Sequence, residues 1–264
     1  AHLEALLKAT FPSPPGNVKW AVSGSEFAEQ VEGILDSLEE KGSRLAPTFA
    51  FIDPFGYSDL PMKTVARLLS NDRCEVLITF MEKFVNRFAE TGLHDAAITE
   101  LFGTDRWLGV RSIKDAGERR SFLLGLYIEE LKRRVTGAHV RTFEMVDKFN
   151  QVLYFLVHAT RSQKGVEVMK DAMWAVDKAG NYRFSDRSDP SQRTLLDLED
   201  EAAWIGPAAE TLWRKFRASV VNESDVKAFV VVETPYPYRK KILRRLLEEG
   251  RLAQVEDARQ GTFP

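Results

Sequence analysis

The sequence predicts an α/β fold followed by a small helical module, and three observations support this prediction. Between residues 18 and 160, short apolar runs alternate with amphipathic segments, as strands and helices do in a wound sheet. The run 48–52 is apolar throughout, which is typical of a strand covered on both faces. After residue 204, three short helices replace this alternation. Together these features favour an open sheet with flanking helices and a separate C-terminal module.

The first half of the chain contains three strand candidates and the helices between them. The predicted strands are 18–22, 48–52 and 75–80. The predicted helices, each with an apolar stripe or a terminal signal, are 25–40, 61–69, 82–90, 93–102 and 115–135. Ser25 is placed to cap the first helix, and Pro61 lies in the first turn of the second.

Two further strand candidates, 140–146 and 151–159, are separated by the charged turn Asp147-Lys148-Phe149-Asn150. This arrangement predicts an antiparallel hairpin. Parallel strands followed by such a hairpin are the order expected of a methyltransferase-like sheet. A helix over 165–177 comes next, before a segment at 186–192 that is rich in turn-forming residues.

These elements predict three parts. Residues 1–185 form a Rossmann-like domain with a methyltransferase-type sheet, 186–203 a linker, and 204–264 a winged helix-turn-helix domain. The last part has helices over 208–218, 224–233 and 238–249, with Ser224 as the cap of the second, and a strand-like run at 252–255.

Composition restricts the class of protein. The chain has 264 residues, 44% of them hydrophobic, and a formal charge of −2, so binding to a polyanion requires a local basic patch. No run reaches the roughly 18 apolar residues of a membrane span, and the start of the chain lacks the pattern of a signal peptide. A single cysteine, Cys74, and the lack of a Cys/His cluster predict no disulfide and no metal site. We therefore expect a cytoplasmic protein with no membrane partner.

The candidate catalytic residues are Asp53, Pro54, Phe55 and Gly56, which directly follow the apolar run 48–52. In open α/β sheets, ligands bind beyond the carboxyl ends of the strands. A carboxylate and a prolyl carbonyl at that position can accept hydrogen bonds from a target amine while an aromatic ring holds a base that has left its stack. The alternative is that Asp-Pro only ends the strand and begins a turn.

Two other segments could face the same edge or hold a nucleotide. Gly24 and Ser25 open a helix, where backbone N–H groups and small residues could contact a cofactor, although a plain helix cap explains them equally well. Asn86 and Arg87 follow the strand 75–80, with a solvated helix face as the alternative. No glycine-rich GxGxG turn occurs in the sequence.

A basic amphipathic helix near the C-terminus is the candidate nucleic-acid contact. Its cations, together with one near the end of the chain, are Arg239, Lys240, Lys241, Arg244, Arg245 and Arg259. The first five occupy the position of a recognition helix, where they could contact phosphates. A solvated surface or a protein-binding face is the alternative.

Together, these segments resemble the three-Cys-motif partner protein (TcmP) family. The resemblance is carried by residues 50–57, 75–81, 85–88, 101–103 with Trp107, 153–161, 164–172, 234–237, 247–251 and 259–264. The 53–56 segment is similar to the Asp-Pro-Pro-aromatic loop of amino-group methyltransferases, with Phe55 at the second proline and Gly56 at the aromatic position.

The resemblance implies a methyltransferase-type core that uses S-adenosylmethionine, a winged helix, and a radical-SAM-like partner protein that bears three cysteines. Family members hold the cofactor with an Asp-x-Phe-Ala-Gly-x-Gly turn, and this chain starts after that point, so we expect an N-terminally incomplete sheet and weak cofactor binding. Two hypotheses follow: a bacterial, cytoplasmic methyltransferase-like protein that acts on or near DNA or RNA, or a non-catalytic adaptor that docks DNA or the partner protein.

Overall fold

A computed structural model describes residues 2–13, 16–54, 60–177, 182–185, 201–253 and 262–263, with only the backbone given for 185, 201–203 and 262–263. The chain divides into two compact units, residues 1–44 and 45–264. The first unit contains helices α1 (His2–Thr10) and α2 (Phe27–Glu40). The predicted strand 18–22 is wrong, because these residues are irregular and pair with no strand in the described chain. The cap of α2 is Glu26 rather than Ser25, and its side chain makes no capping hydrogen bond.

The second unit is built on a five-stranded sheet. Its strands are β1 (Thr48–Ile52), β2 (Cys74–Phe80), β3 (His139–Val146), β4 (Val152–Thr160) and β5 (Arg183–Ser185), in the order β1-β2-β4-β3-β5. The helices between them are α3 (Met62–Leu69), α4 (Glu82–Phe88), α5 (Asp95–Phe102), α6 (Ala116–Arg134) and α7 (Gln163–Val176), with a 3₁₀ segment at Asp105–Ser112. The predicted α/β class is confirmed.

The pairing of the strands makes the sheet mixed. β1 and β2 are parallel, β4 is antiparallel to both β2 and β3, and β5 is parallel to β3. The predicted hairpin is therefore present, with β4 inserted between β2 and β3. Its turn forms because the Asp147 carboxylate accepts hydrogen bonds from the backbone N–H groups of Phe149 and Gln151, both 2.8 Å long, while Asn150 adopts a left-handed φ of 66°.

Helices cover the two faces of the sheet. Phe80 packs against Tyr127 of α6 at a centroid distance of 4.7 Å and against Phe102 of α5 at 6.2 Å. Glu75, whose side chain points to the opposite face of β2, lies against Gly165 of α7. The main core therefore lies between the sheet and α3 to α6, and α7 covers β3 and β4 on the other side.

β1 departs from the prediction that it is buried on both faces. Ile52 is buried, but Phe49 and Phe51 are 55% and 59% exposed. β1 is one of the two edge strands of the described sheet, and the helices of the second unit leave its Phe49 face open. An apolar sequence alone did not reveal that this strand lacks a second layer.

The C-terminal part contains three helices and a short strand pair. They are α8 (Glu201–Phe216), β6 (Val221–Asn222), α9 (Glu223–Glu233), α10 (Lys240–Glu248) and β7 (Thr262–Phe263), and β6 pairs antiparallel with β7. The cap of α9 is Asn222, not Ser224: its side chain accepts a hydrogen bond of 2.8 Å from the N–H of Asp225. The helices enclose their own apolar cluster, which includes Leu212, Val230 and Ile242.

The predicted boundaries in this region are tested only in part. Residues 186–200 of the predicted linker lie outside the described residues, whereas 201–203 belong to α8. The first helix of this part was predicted over 208–218, but α8 begins at Glu201, and Pro207 lies inside it. Leu252 and Ala253 are not in a strand, and Val255 lies outside the described residues. Among the helices that the structure describes, none is long and apolar enough to cross a bilayer.

Candidate functional site

Asp53 lies at the carboxyl edge of the parallel pair β1 and β2. It follows Ile52, the last residue of β1, which pairs with Ile78 in β2. The Asp53 side chain is exposed and has no hydrogen bond or ion pair with the described part of the chain. Pro54 is half-buried, while Phe55 and Gly56 lie outside the described residues. An accessible carboxylate is therefore present where the sequence predicted it.

An aromatic surface adjoins this carboxylate. Because side chains alternate along a strand, Phe49, Phe51 and Asp53 project to the same side of β1. All three are exposed. The carboxylate is thus next to an apolar surface, a combination that suits a ligand with both a flat apolar ring and a hydrogen-bond donor.

Glu82 lies at the corresponding end of β2, one strand away from Asp53. It begins α4 two residues after β2 ends, and its side chain is only 3% exposed. Its Oε1 accepts a hydrogen bond from Arg120 Nε of 2.8 Å, but its Oε2 is buried without a partner in the described structure. A buried carboxylate oxygen with no donor is costly, so this group is stabilised mainly by Arg120.

Asn86 and Arg87 do not both face the carboxyl edge of the β1–β2 pair, where Asp53 lies. The Asn86 side-chain oxygen accepts a hydrogen bond from Arg119 Nε, and Arg119 also pairs with Glu90 at 2.7 Å, so this asparagine ties α4 to α6. Arg87 is exposed, with its guanidinium 5.5 Å from the centre of the Phe88 ring. The alternative of a solvated helix face fits Arg87 better.

Gly24 and Ser25, the predicted cofactor contacts, lie in the irregular segment before α2. Both are exposed, and the Ser25 N–H already donates to Ser23 Oγ at 3.3 Å. A Cβ atom added to Gly24 would meet nothing within 4 Å, so no close approach requires glycine there. Contact of these two residues with S-adenosylmethionine stays a prediction.

The predicted basic helix is partly neutralised by carboxylates. Three of its cations form ion pairs: Arg239 with Asp171 at 3.1 Å, Lys240 with Glu223 at 3.4 Å, and Arg245 with Glu249 at 2.8 Å. Lys241 is exposed. Arg244 is exposed and has no such partner among the described residues, and Arg259 lies outside them. The helix keeps an exposed basic face, with less free charge than the sequence predicted.

Two cations that the sequence did not reveal, Lys170 of α7, which is buried, and Arg141 of β3, which is half-buried, connect this helical part to the rest of the second unit. Lys170 of α7 is 1% exposed, and its Nζ donates to the carbonyl oxygens of Val230 and Thr234, each at 2.6 Å, and to that of Val231 at 3.1 Å. Burial, assisted by the charge of Arg141, lowers the pKa of Lys170 to about 7. Burial likewise lowers the pKa of Arg141.

A buried histidine and a half-buried carboxylate form a pair across β4 and β2, near the amino end of β2. His158 is buried, and its Nε2 lies 2.9 Å from Glu75 Oε2. Its Nδ1 has no partner in the described structure. Burial lowers the pKa of His158, although the Glu75 carboxylate opposes this shift.

The described residues thus define an α/β protein with an open mixed sheet, an accessible carboxylate at the carboxyl edge of its parallel strands, and a C-terminal group of three helices. The chain matches no protein-family model, and no curated protein or solved structure matches it.

Proposed function

We propose that the chain is a methyltransferase-like protein of the three-Cys-motif partner type, which acts on or near nucleic acid, with Asp53 as the residue that orients the methyl acceptor. The observation that carries this proposal is the Asp53 carboxylate, which is exposed at the carboxyl edge of the β1–β2 pair and free of partners among the described residues. A carboxylate already engaged by main-chain amides would have little capacity to accept a hydrogen bond from a substrate.

Two features of the fold support the proposal. Parallel strands followed by an antiparallel hairpin, with the strands in the order β1-β2-β4-β3, are the arrangement expected of a methyltransferase-like sheet. The short strand pair β6–β7 beside α8, α9 and α10 is compatible with a winged helix. The resemblance implies S-adenosylmethionine as the methyl donor. The role proposed for the described residues is to bind the methyl acceptor.

The chemistry proposed for Asp53 is hydrogen-bond acceptance. An amine that donates to the carboxylate keeps its lone pair directed away from that oxygen and gains electron density. Phe49 and Phe51, exposed on the same side of the strand, offer aromatic surface to a base that has been turned out of its stack. The Asp53 edge would therefore both hold and orient a nucleobase amine.

The test is methyl transfer from labelled S-adenosylmethionine to DNA, RNA or the radical-SAM-like partner. We expect Asp53→Asn to lower the rate at least tenfold, because the amide replaces one acceptor oxygen with a donor. Asp72→Asn is the matched control, since Asp72 is an exposed aspartate that precedes the amino end of β2. Transfer that is undetectable in the wild type, or unaffected by Asp53→Asn, would contradict the proposal.

A second candidate is a non-catalytic adaptor that docks DNA or the three-Cys-motif protein. The specific observation in its favour is the exposed pair Phe49 and Phe51 on an edge strand, because a solvent-exposed apolar edge is a common docking feature. In this case Phe51→Thr would weaken binding of the partner protein in a pull-down with purified components, while Asp53→Asn would leave that binding unchanged.

A further inference from the structure

A cavity of about 480 Å³ lies within the C-terminal helices. Its walls are apolar side chains from several elements, including Leu212 and Phe216 of α8, Val226 of α9, and Leu243 and Leu246 of α10. This volume lies in the range of roughly 300–1,000 Å³ that is typical of small-molecule sites, which are mostly apolar with a few polar groups. The cavity belongs to neither the Asp53 edge nor the exposed basic face.

One cation on the cavity wall, Arg217, has no carboxylate partner among the described residues. Arg217 follows α8 directly, and its guanidinium lies 5.7 Å from the centre of the Trp213 ring. It has no hydrogen bond or ion pair from its side chain to the described residues. Arg251, on the other side of the cavity, lies 4.3 Å from the same ring but is paired with Glu210 at 2.6 Å and Glu249 at 3.2 Å. Among the described residues that line the cavity, Arg217 is therefore the cation without a carboxylate partner.

The loop between α8 and β6 holds this wall in an uncommon conformation. Ala218 has a φ of +62°, in the left-handed region that costs about 1 kcal/mol or more for a residue with a Cβ atom. Val220, two residues later, is 71% exposed although it also lines the cavity. The loop thus contributes an apolar side chain, Val220, and a cation, Arg217, to the wall of the same cavity.

We propose that this cavity binds a small amphipathic anion, an unbranched carboxylate whose apolar chain enters the cavity and whose head group pairs with Arg217. The apolar wall selects the chain, and the charge of Arg217 selects an anionic head group over a cationic or neutral one. This inference goes beyond methyl transfer and does not depend on it.

The first experiment is a calorimetric titration of the full chain with hexanoate, octanoate and decanoate, each below the concentration at which it forms micelles. We expect saturable 1:1 binding that tightens about fourfold for each added methylene, because each one is removed from water. The gain should stop once the chain exceeds the length that the cavity can hold. No saturable binding, or an affinity that rises without a plateau, would overturn the proposal.

The second experiment tests the head group. Decanol should bind at least tenfold more weakly than decanoate, and Arg217→Gln should reduce decanoate to the affinity of decanol while it leaves decanol binding unchanged. Arg244→Gln is the matched control, because Arg244 is an exposed cation of α10 that does not line the cavity. Equal losses in the two variants would show non-specific attraction and would refute the assignment to Arg217.

Discussion

Lys170 of α7 and Arg141 of β3 donate hydrogen bonds to the same two carbonyl oxygens, those of Val231 and Thr234 at the end of α9. The last carbonyls of a helix have no partner within the helix, and cations near them also interact favourably with its dipole. α9 has no basic residue in its own last turn. Its C-terminal end is therefore satisfied by two side chains from the layer that contains the sheet.

The shared carbonyls predict that the two cations partly replace each other. Lys170→Met and Arg141→Met should each lower the free energy of unfolding by about 1–3 kcal/mol, because the remaining cation still bonds to Val231 and Thr234. The double variant should lose about 1 kcal/mol more than the sum, since both carbonyls then lack a cation. Urea unfolding at pH 6 measures the free energy of unfolding of the wild type, the two single variants and the double variant.

The matched control for these variants is Arg244→Met, at an exposed position of α10, which should change stability by less than about 0.5 kcal/mol. A double variant whose loss equals the sum of the single losses would show that the two cations act independently.

Lys170 also predicts a pH dependence of stability. Burial lowers its pKa from 10.5 to about 7 in the folded protein, so the unfolded chain binds more protons between these two values. The free energy of unfolding of the wild type, relative to Lys170→Met, should therefore rise between pH 7 and 10. The rise should be at most about 4 kcal/mol, because the three carbonyl dipoles around the ammonium favour its charged form.

Urea unfolding of the wild type and of Lys170→Met at a series of pH values checks this prediction. A difference that stays flat, or that falls as the pH increases, would mean that Lys170 keeps its proton in the folded state throughout this range.

Gly165 predicts a steric effect on the Glu75–His158 pair. A Cβ atom at this position would lie 2.7 Å from the Glu75 carboxyl carbon, so Gly165→Ala should displace that carboxylate from His158. We expect a loss of about 1–2 kcal/mol and a further fall in the pKa of His158, because Glu75 opposes the effect of burial. NMR titration and urea unfolding measure the two quantities.

Gly125→Ala is the matched control for this variant. Gly125 lies inside α6, and an added Cβ atom meets nothing within 4 Å, so alanine should stabilise the helix by roughly 0.5–1 kcal/mol. If Gly165→Ala stabilises the protein equally, the carboxylate moves aside without cost.

One face of β1 is exposed and the other is buried, so substitutions at neighbouring residues of this strand should differ in their effect on the free energy of unfolding. Phe51→Thr should change the free energy of unfolding by less than about 0.5 kcal/mol, because Phe51 is exposed and threonine suits a strand. Ile52→Ala should cost about 2–5 kcal/mol, because Ile52 is buried. Urea unfolding compares the two variants, and a large loss for Phe51→Thr would indicate that another part of the protein covers this face.

Local signals predicted much of the fold from the sequence. The hairpin turn is formed by the Asp147 side chain and by the left-handed φ of Asn150. Asp115 is the N-cap of α6, and its carboxylate accepts a hydrogen bond of 2.8 Å from the N–H of Glu118. The position of Asp53 followed from the abrupt end of an apolar run. These features depend only on residues close in sequence.

Features that depend on distant residues could not be predicted in this way. The exposure of Phe49 and Phe51 depends on which helices cover β1. The hydrogen bonds at the C-terminal end of α9 depend on Arg141, which is 90 residues before Val231. The hydrogen bond from Arg120 to the buried Glu82 joins residues that are 38 positions apart. The N-terminal cap of α9 was predicted at Ser224 and lies at Asn222. Both are good capping residues, and only the backbone shows which one precedes the helix.

The dependence of α9 on two side chains from another layer affects how binding data on α10 should be interpreted. α10 follows α9 after a connection of six residues, 234–239. A substitution at Lys170 or Arg141 could therefore abolish nucleic-acid binding without removing a single contact to the ligand. Any loss of nucleic-acid affinity should be compared with the thermal unfolding of the same variant before the loss is assigned to the surface of α10.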